Sequence, residues 1–146
     1  MSWRERLVDD RGSAVIEFSW LAVFLLVPLI YLVLCLAKLQ AGSYAVTQAA
    51  RESARAFVTA SEDGGARARS DAAARIAFAD QGFGDSGTLT ISCSDAPCLS
   101  RGAAVTTRAE VWVPLPLVPA MLRDVVPLEI PVSATQVASV PTYEAR

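Results

Sequence analysis

An uncharged apolar run near the N-terminus constrains this chain more than any other feature of its sequence. Residues 18–37, from Phe18 to Ala37, number twenty and include no Asp, Glu, Lys or Arg. A helix of this length rises about 1.5 Å per residue and spans roughly 30 Å, which matches the hydrocarbon core of a bilayer. The sequence therefore predicts one transmembrane helix. Pro28 inside the run is compatible with a membrane helix.

Two residues at the start of the run distinguish it from a plain membrane anchor. Gly12 separates a short polar segment from the run, and Glu17 follows five positions later. A carboxylate at the edge of hydrocarbon is costly unless it is paired, and such charges usually have a function. Glu17 is therefore a candidate functional residue.

The distribution of basic residues predicts the orientation of the helix. Arg4, Arg6 and Arg11 precede the run, whereas Lys38 is the only basic residue after it until Arg51. This asymmetry favours a cytoplasmic N-terminus and an extracytoplasmic C-terminal part, in a single-pass protein of the cell membrane. A removable secretory signal is the alternative. Its apolar region would be unusually long, however, and the nearest small-x-small cleavage site, Ser43–Ala45, lies beyond the run.

Composition excludes several classes of function. The 146 residues include no His and have a formal net charge of −2, without a basic cluster. The absence of His excludes Ser-His-Asp and Cys-His catalysis and the HExxH metal site. The charge pattern gives no indication of nucleic-acid binding, which usually requires a basic patch or stripe. We expect a protein that is not an enzyme, with no cofactor, no metal site and no small-molecule substrate.

The three cysteines fall into two groups. Cys35 lies inside the apolar run and is expected to pack there, because Leu34 does not fit the small residue that precedes a lipoprotein cysteine. Cys93 and Cys98 bracket the turn-forming residues Ser-Asp-Ala-Pro. In an exported segment this spacing predicts a local disulfide at a hairpin tip, with two free thiols as the alternative. A zinc site lacks a second ligand pair.

The helical pattern continues beyond the apolar run to about residue 60, with Gly42 as its weakest point. One face of this extension presents a stripe of apolar and small residues. The stripe suits either another helix or the chain's own domain. Its marker residues are Leu39, Val46, Ala50 and Phe57.

The remaining sequence predicts a small α+β domain. A break at residues 61–65 precedes a second short helix over 66–80, and the period then changes from 3.6 to 2. Strands are expected at 88–93, 103–113 and 128–140, with one helical turn at 119–123 in the proline-rich connection. Pro131 places the third strand at a sheet edge, but the strand order stays open. The fold class is α+β, with a leader at 1–12, a transmembrane and extended helix at 13–60, and a three-stranded antiparallel domain at 61–146.

The opening motif resembles that of a known family. Arg11-Gly-Ser-Ala-Val-Ile-Glu-Phe18, the apolar helix and the block Thr47-Gln-Ala-Ala-Arg-Glu-Ser-Ala-Arg55 are similar to the TadE-like family. Its members are minor pilins or pseudopilins of the tight-adherence (Tad/Flp) pilus system. Related Flp-type signals usually have Tyr after the glutamate, where this chain has Phe18.

The resemblance implies a structural role in pilus assembly. A prepilin peptidase would cut between Gly12 and Ser13, and Glu17 would then pair with the new N-terminal amine of a neighbouring subunit. The implied partners are the membrane, the peptidase, other pilin-like subunits and pilus assembly proteins. The alternative is an uncleaved, membrane-tethered extracellular binding module that does not polymerise, in which Glu17 has no role.

Overall fold

The chain folds as two helices followed by a three-stranded antiparallel sheet, which confirms the predicted α+β class. A computed structural model describes residues 3–116 and 129–142. The elements in chain order are α1 (Trp3–Val58), α2 (Asp63–Asp80), β1 (Thr88–Cys93), β2 (Ala104–Pro114) and β3 (Glu129–Ser139). The predicted helical turn at residues 119–123 lies outside the described residues.

The chain divides into two compact units, Met1–Leu36 and Ala37–Arg146. In the first unit, α1 presents apolar side chains that contact little protein, and Phe24 is 81% exposed. Among the described residues, the segment Ala14–Val58 is the one helix long and apolar enough to cross a membrane, with a mean hydropathy of 2.7 in its most apolar window. Its length and composition therefore fit a single-pass membrane protein.

The second unit, called the head unit below, contains α1 from Ala37 onward, α2 and the sheet. Successive side chains of a strand point to opposite sides of the sheet, so alternate residues face the helices. Most residues on this inner face are apolar. Phe57 and Phe78 are the largest fully buried side chains described in the unit, at 0% and 1% exposure. They belong to two neighbouring clusters that also contain the inner-face residues Val105, Ala109, Val111 and Val113.

Gly42 has a role that its sequence context did not predict. The helix continues through this residue without a break. A methyl group placed on Gly42 would lie 2.5 Å from Cγ2 of Val113 and 3.7 Å from Cγ2 of Val111. The missing side chain lets the backbone of α1 approach the sheet more closely than any other residue would allow.

Helix α2 begins three residues earlier than the sequence predicted. Asp63, Gly64 and Gly65 were assigned to a break, but they form the first turn of the helix. An acidic residue in the first turn is stabilised by the helix dipole, and this offsets part of the cost of the two glycines. The helix ends at Asp80, and Gly82 follows with a φ of +79°, which favours glycine.

The sheet has the order β1-β2-β3, which the sequence had left open. Both pairings are antiparallel: Thr88 pairs with Glu110 at one end of β1, and Pro114 pairs with Glu129 at one end of β3. Strand β1 matches its predicted bounds, and β2 and β3 differ from theirs by one residue at each end. Pro131 lies opposite Trp112 in the edge strand β3, as predicted, and edge strands are where proline is tolerated in a sheet.

A buried hydroxyl connects the sheet to α1. Thr107 on β2 is fully buried, and its Oγ1 donates a hydrogen bond to the carbonyl oxygen of Ala50 over 2.8 Å. A second buried hydroxyl, that of Ser70 on α2, donates to the carbonyl oxygen of Ser53 over 2.7 Å. These two bonds fix the position of residues 50–53 relative to the strands and to α2.

Replacing Thr107 by Val tests the first of these bonds. The change keeps the side-chain shape but removes the donor, so we expect the free energy of unfolding of the head unit to fall by about 1 kcal/mol. Thr106→Val is the matched control, because Thr106 is the next residue on the strand and faces outward. Urea unfolding of the detergent-solubilised chain, followed by circular dichroism, measures both. Equal effects of the two substitutions would contradict the assignment.

Candidate functional site

The processing motif lies within the N-terminal part of α1. The backbone of Gly12 and Ser13 is helical, and the same helix continues through Glu17 into the apolar run. Glycine costs about 1 kcal/mol relative to alanine inside a helix, so the helix is locally weakest at Gly12. Local unwinding of the helix around Gly12 therefore costs less free energy than it would with alanine at this position.

Glu17 has no partner among the side chains that the structure describes from residue 14 onward. It is exposed, and the one ion pair in the described part of the chain joins Arg108 to Glu110. The nearest side-chain hydrogen bond connects Ser19 Oγ to the carbonyl oxygen of Val15 over 2.7 Å and does not involve the carboxylate. Glu17 thus lies at the start of the apolar run without an ion-pair partner among the side chains described from residue 14 onward.

The predicted packing stripe faces the chain's own sheet. Val46 and Ala50 are 1% exposed and Phe57 is fully buried, while Leu39 packs against the same core from its edge. The sequence had left open whether this stripe contacts another helix or its own domain. The structure shows the second arrangement, so this face of α1 is occupied within the head unit.

The outer face of α1 in the head unit remains uncovered. Tyr44 is 66% exposed, and Arg51, Glu52 and Arg55 are exposed beyond it. This exposed face and the apolar side chains of the first unit are therefore the surfaces that α1 offers to other molecules.

The predicted disulfide is present between Cys93 and Cys98, with a Cα–Cα distance of 5.4 Å. It closes the loop that follows β1, at one end of the sheet. Cys35, in the apolar run, is the free cysteine of the described chain and is partly exposed.

Asp63 holds the disulfide loop against the start of α2. Its Oδ2 accepts a hydrogen bond from the backbone N–H of Cys98 over 3.0 Å, and its Oδ1 accepts one from Leu99 over 3.1 Å. The sequence analysis missed this role. The only available signal was an acid at the start of a helix, because the loop it contacts lies 35 residues further along the chain.

Replacing Asp63 by Asn tests this contact. The change removes the charge and one acceptor oxygen, and hydrogen bonds to a charged group contribute about 1.5–3 kcal/mol. We therefore expect amide hydrogen exchange at Cys98 and Leu99 to become at least roughly tenfold faster. Glu62→Gln is the matched control. It removes the same charge one residue earlier, and the side chain of Glu62 makes no capping hydrogen bond. Unchanged exchange in the Asp63 variant would rule out the clamp.

Side chains that bind metal ions are not clustered in the described ranges. No group of three or more His, Cys, Asp or Glu side chains in residues 3–116 and 129–142 could hold a metal ion. The candidate site of this chain is the segment from Gly12 to Glu17 together with the apolar helix that follows it, because this segment combines the spacing of the motif with a run of membrane length.

Comparison with known proteins gives no match to a family model, to a curated protein or to a solved structure.

Proposed function

We propose that this chain is a structural minor pilin or pseudopilin of the TadE-like type. In this role it is cut by a prepilin peptidase between Gly12 and Ser13 and takes part in assembling a Tad/Flp-type pilus or a related secretion apparatus. The observation that supports this most is the continuity of α1. One helix contains the Gly12–Glu17 motif, the uncharged run of membrane length and the face that packs into the head unit.

The chemistry of Glu17 supports the same role. A carboxylate at the hydrocarbon edge is stabilised when a cation pairs with it, and cleavage after Gly12 creates a free amine on Ser13. Glu17 lies four residues from that amine in the same helix. Because the side chain has no partner among those described from residue 14 onward, the amine of a neighbouring copy is a suitable counter-charge.

The proposed orientation places the head unit outside the cytoplasm. Arg4, Arg6 and Arg11 then remain on the cytoplasmic side, in agreement with the positive-inside rule. The disulfide between Cys93 and Cys98 favours the same orientation, since such bonds persist in oxidising compartments. The first unit then lies in the bilayer, where its exposed apolar side chains contact lipid or other helices.

The intact mass of the chain extracted from membranes tests this proposal. Expressed beside an active prepilin peptidase, the chain should lose residues 1–12, and N-terminal sequencing should begin at Ser13. Expression with a catalytically inactive peptidase is the control and should leave the chain at full length. A full-length chain in both samples would refute the processing step and favour an uncleaved membrane tether.

A further inference from the structure

An open groove with two arginines runs between α1 and β3 in the head unit. It has a volume of about 300 Å³, and its lining residues are Arg51, Ala54, Arg55, Val58, Gln136 and Ala138. Arg51 and Arg55 are four residues apart on a helix, so their guanidinium groups lie on one face. Neither forms an ion pair with a described carboxylate. The basic groove, as we call it, thus combines a mainly apolar floor with two cations that have no ion-pair partner among the described residues.

A second groove, between α1 and α2, has the opposite charge. It has a volume of about 150 Å³, and its lining residues are Gln48, Glu52, Ala73, Ile76, Ala77, Asp80 and Gln81. Glu52 and Asp80 are exposed and have no ion pair with a described cation. Between them in this acidic groove, Ile76 exposes 64% of its side chain.

The same stretch of α1 contributes to both grooves. Arg51 and Glu52 are consecutive and point about 100° apart around the helix axis. The basic groove therefore opens toward β3 and the acidic groove toward α2. Two cations on one flank and two carboxylates on the other are complementary, and the exposed Ile76 matches the apolar floor formed by Ala54, Val58 and Ala138.

We propose that a second copy of this chain docks its acidic groove on the basic groove of the first. Arg51 and Arg55 of one copy then face Glu52 and Asp80 of the next, and Ile76 enters the apolar floor. The contact is head-to-tail, because two different surfaces meet, so each added copy leaves one free groove of each kind. This contact specifies which surfaces of two copies meet during the assembly proposed above. The inference rests on that proposed function, since both copies must lie in one membrane.

Cysteine cross-linking of the full-length chain in lipid vesicles tests the contact. Two tagged copies are mixed in a Cys35→Ser background, one with Gln136→Cys in the basic groove and one with Gln81→Cys in the acidic groove. We expect a mixed disulfide dimer that exceeds both homotypic dimers and declines as salt is raised, because salt screens exposed charges. Homotypic dimers alone, or no dimer above the collisional background, would overturn the proposal.

Charge reversal makes the test specific. Arg51→Glu with Arg55→Glu in the first copy should lower the mixed dimer at least tenfold, and adding Glu52→Arg with Asp80→Arg in the second copy should restore it. Arg67→Glu with Arg69→Glu, two exposed arginines of α2 outside both grooves, is the matched control and should change nothing. A mixed dimer that does not respond to the first reversal, or is not restored by the second, would overturn the proposal.

Adding an active prepilin peptidase to the same vesicles separates this inference from the proposed function. The mass of the chain reports whether the leader has been removed, independently of the cross-link. A cleaved chain without the mixed dimer would overturn the docking contact and leave the processing proposal intact. An uncleaved chain with the charge-dependent mixed dimer would support the contact and refute the processing step.

Discussion

Replacing Gly42 by Val is expected to destabilise the head unit by about 3 kcal/mol, at the upper end of the usual cost of overpacking a core. The first added carbon already lies 2.5 Å from Cγ2 of Val113, and the side chain of Val113 is fully buried. Either α1 moves away from the sheet or the strand shifts. Both movements weaken the hydrogen bond from Thr107 to Ala50, which lies two helical turns further on.

Hydrogen exchange of the full-length chain in detergent micelles measures this effect. Amide groups of β2 should exchange more than a hundredfold faster in the Gly42 variant, because each 1.4 kcal/mol corresponds to a factor of ten. Gly64→Ala is the matched control. Gly64 is also a helical glycine, but no atom lies within 4 Å of its added methyl group, so this change should be neutral or slightly stabilising. Equal protection of β2 in both variants would contradict the close approach at Gly42.

The elements that the sequence predicted well are those with a local signal. The uncharged run determines the first part of α1, and strict alternation from Thr88 to Cys93 gives β1 its bounds to the residue. Pro131 correctly placed β3 at an edge of the sheet. These predictions depend on periodicity, length and the missing donor of proline, all of which can be read within a few residues.

The elements that the sequence predicted poorly depend on contacts between distant segments. Gly42 looks like a helix breaker on its own, and only the approach of Val113, 71 positions later, makes it part of the core. Asp63 looks like part of a loop until the backbone of Cys98 and Leu99 provides its two hydrogen-bond donors. Strand order was open for the same reason, because alternation identifies a strand's faces and not its neighbours.

The candidate site divides in the same way. The spacing from Gly12 to Glu17 and the apolar run are local features that the sequence shows directly. The sequence predicted a helix that begins at Ser13, after Gly12, whereas α1 begins at Trp3 and contains Gly12 as well. The two charged grooves were not predicted. Each groove combines residues of α1 with residues of another element. Arg51 and Glu52 can be assigned to two different grooves only when the positions of β3 and α2 beside the helix are known.

Replacing Glu17 by Ala is expected to abolish assembly while leaving cleavage intact. The peptide bond after Gly12 is unchanged, so the intact mass should still correspond to a chain that begins at Ser13. In the proposed assembly the carboxylate pairs with a neighbour's amine at the hydrocarbon edge. Leaving that amine unpaired costs about 3 kcal/mol, which lowers each subunit contact roughly a hundredfold.

Two further substitutions show whether the charge itself is responsible. Glu17→Gln keeps the size of the side chain but removes the charge, and should lose assembly as completely as Glu17→Ala. Ser19→Ala changes an exposed residue two positions further along the helix, whose hydroxyl bonds only to its own helix, and should assemble normally. The readout is the amount of chain recovered in sheared surface filaments, normalised to the processed chain in membranes. Normal recovery of both Glu17 variants would refute the pairing, because a polymer that tolerates an unpaired amine at every contact does not depend on this carboxylate.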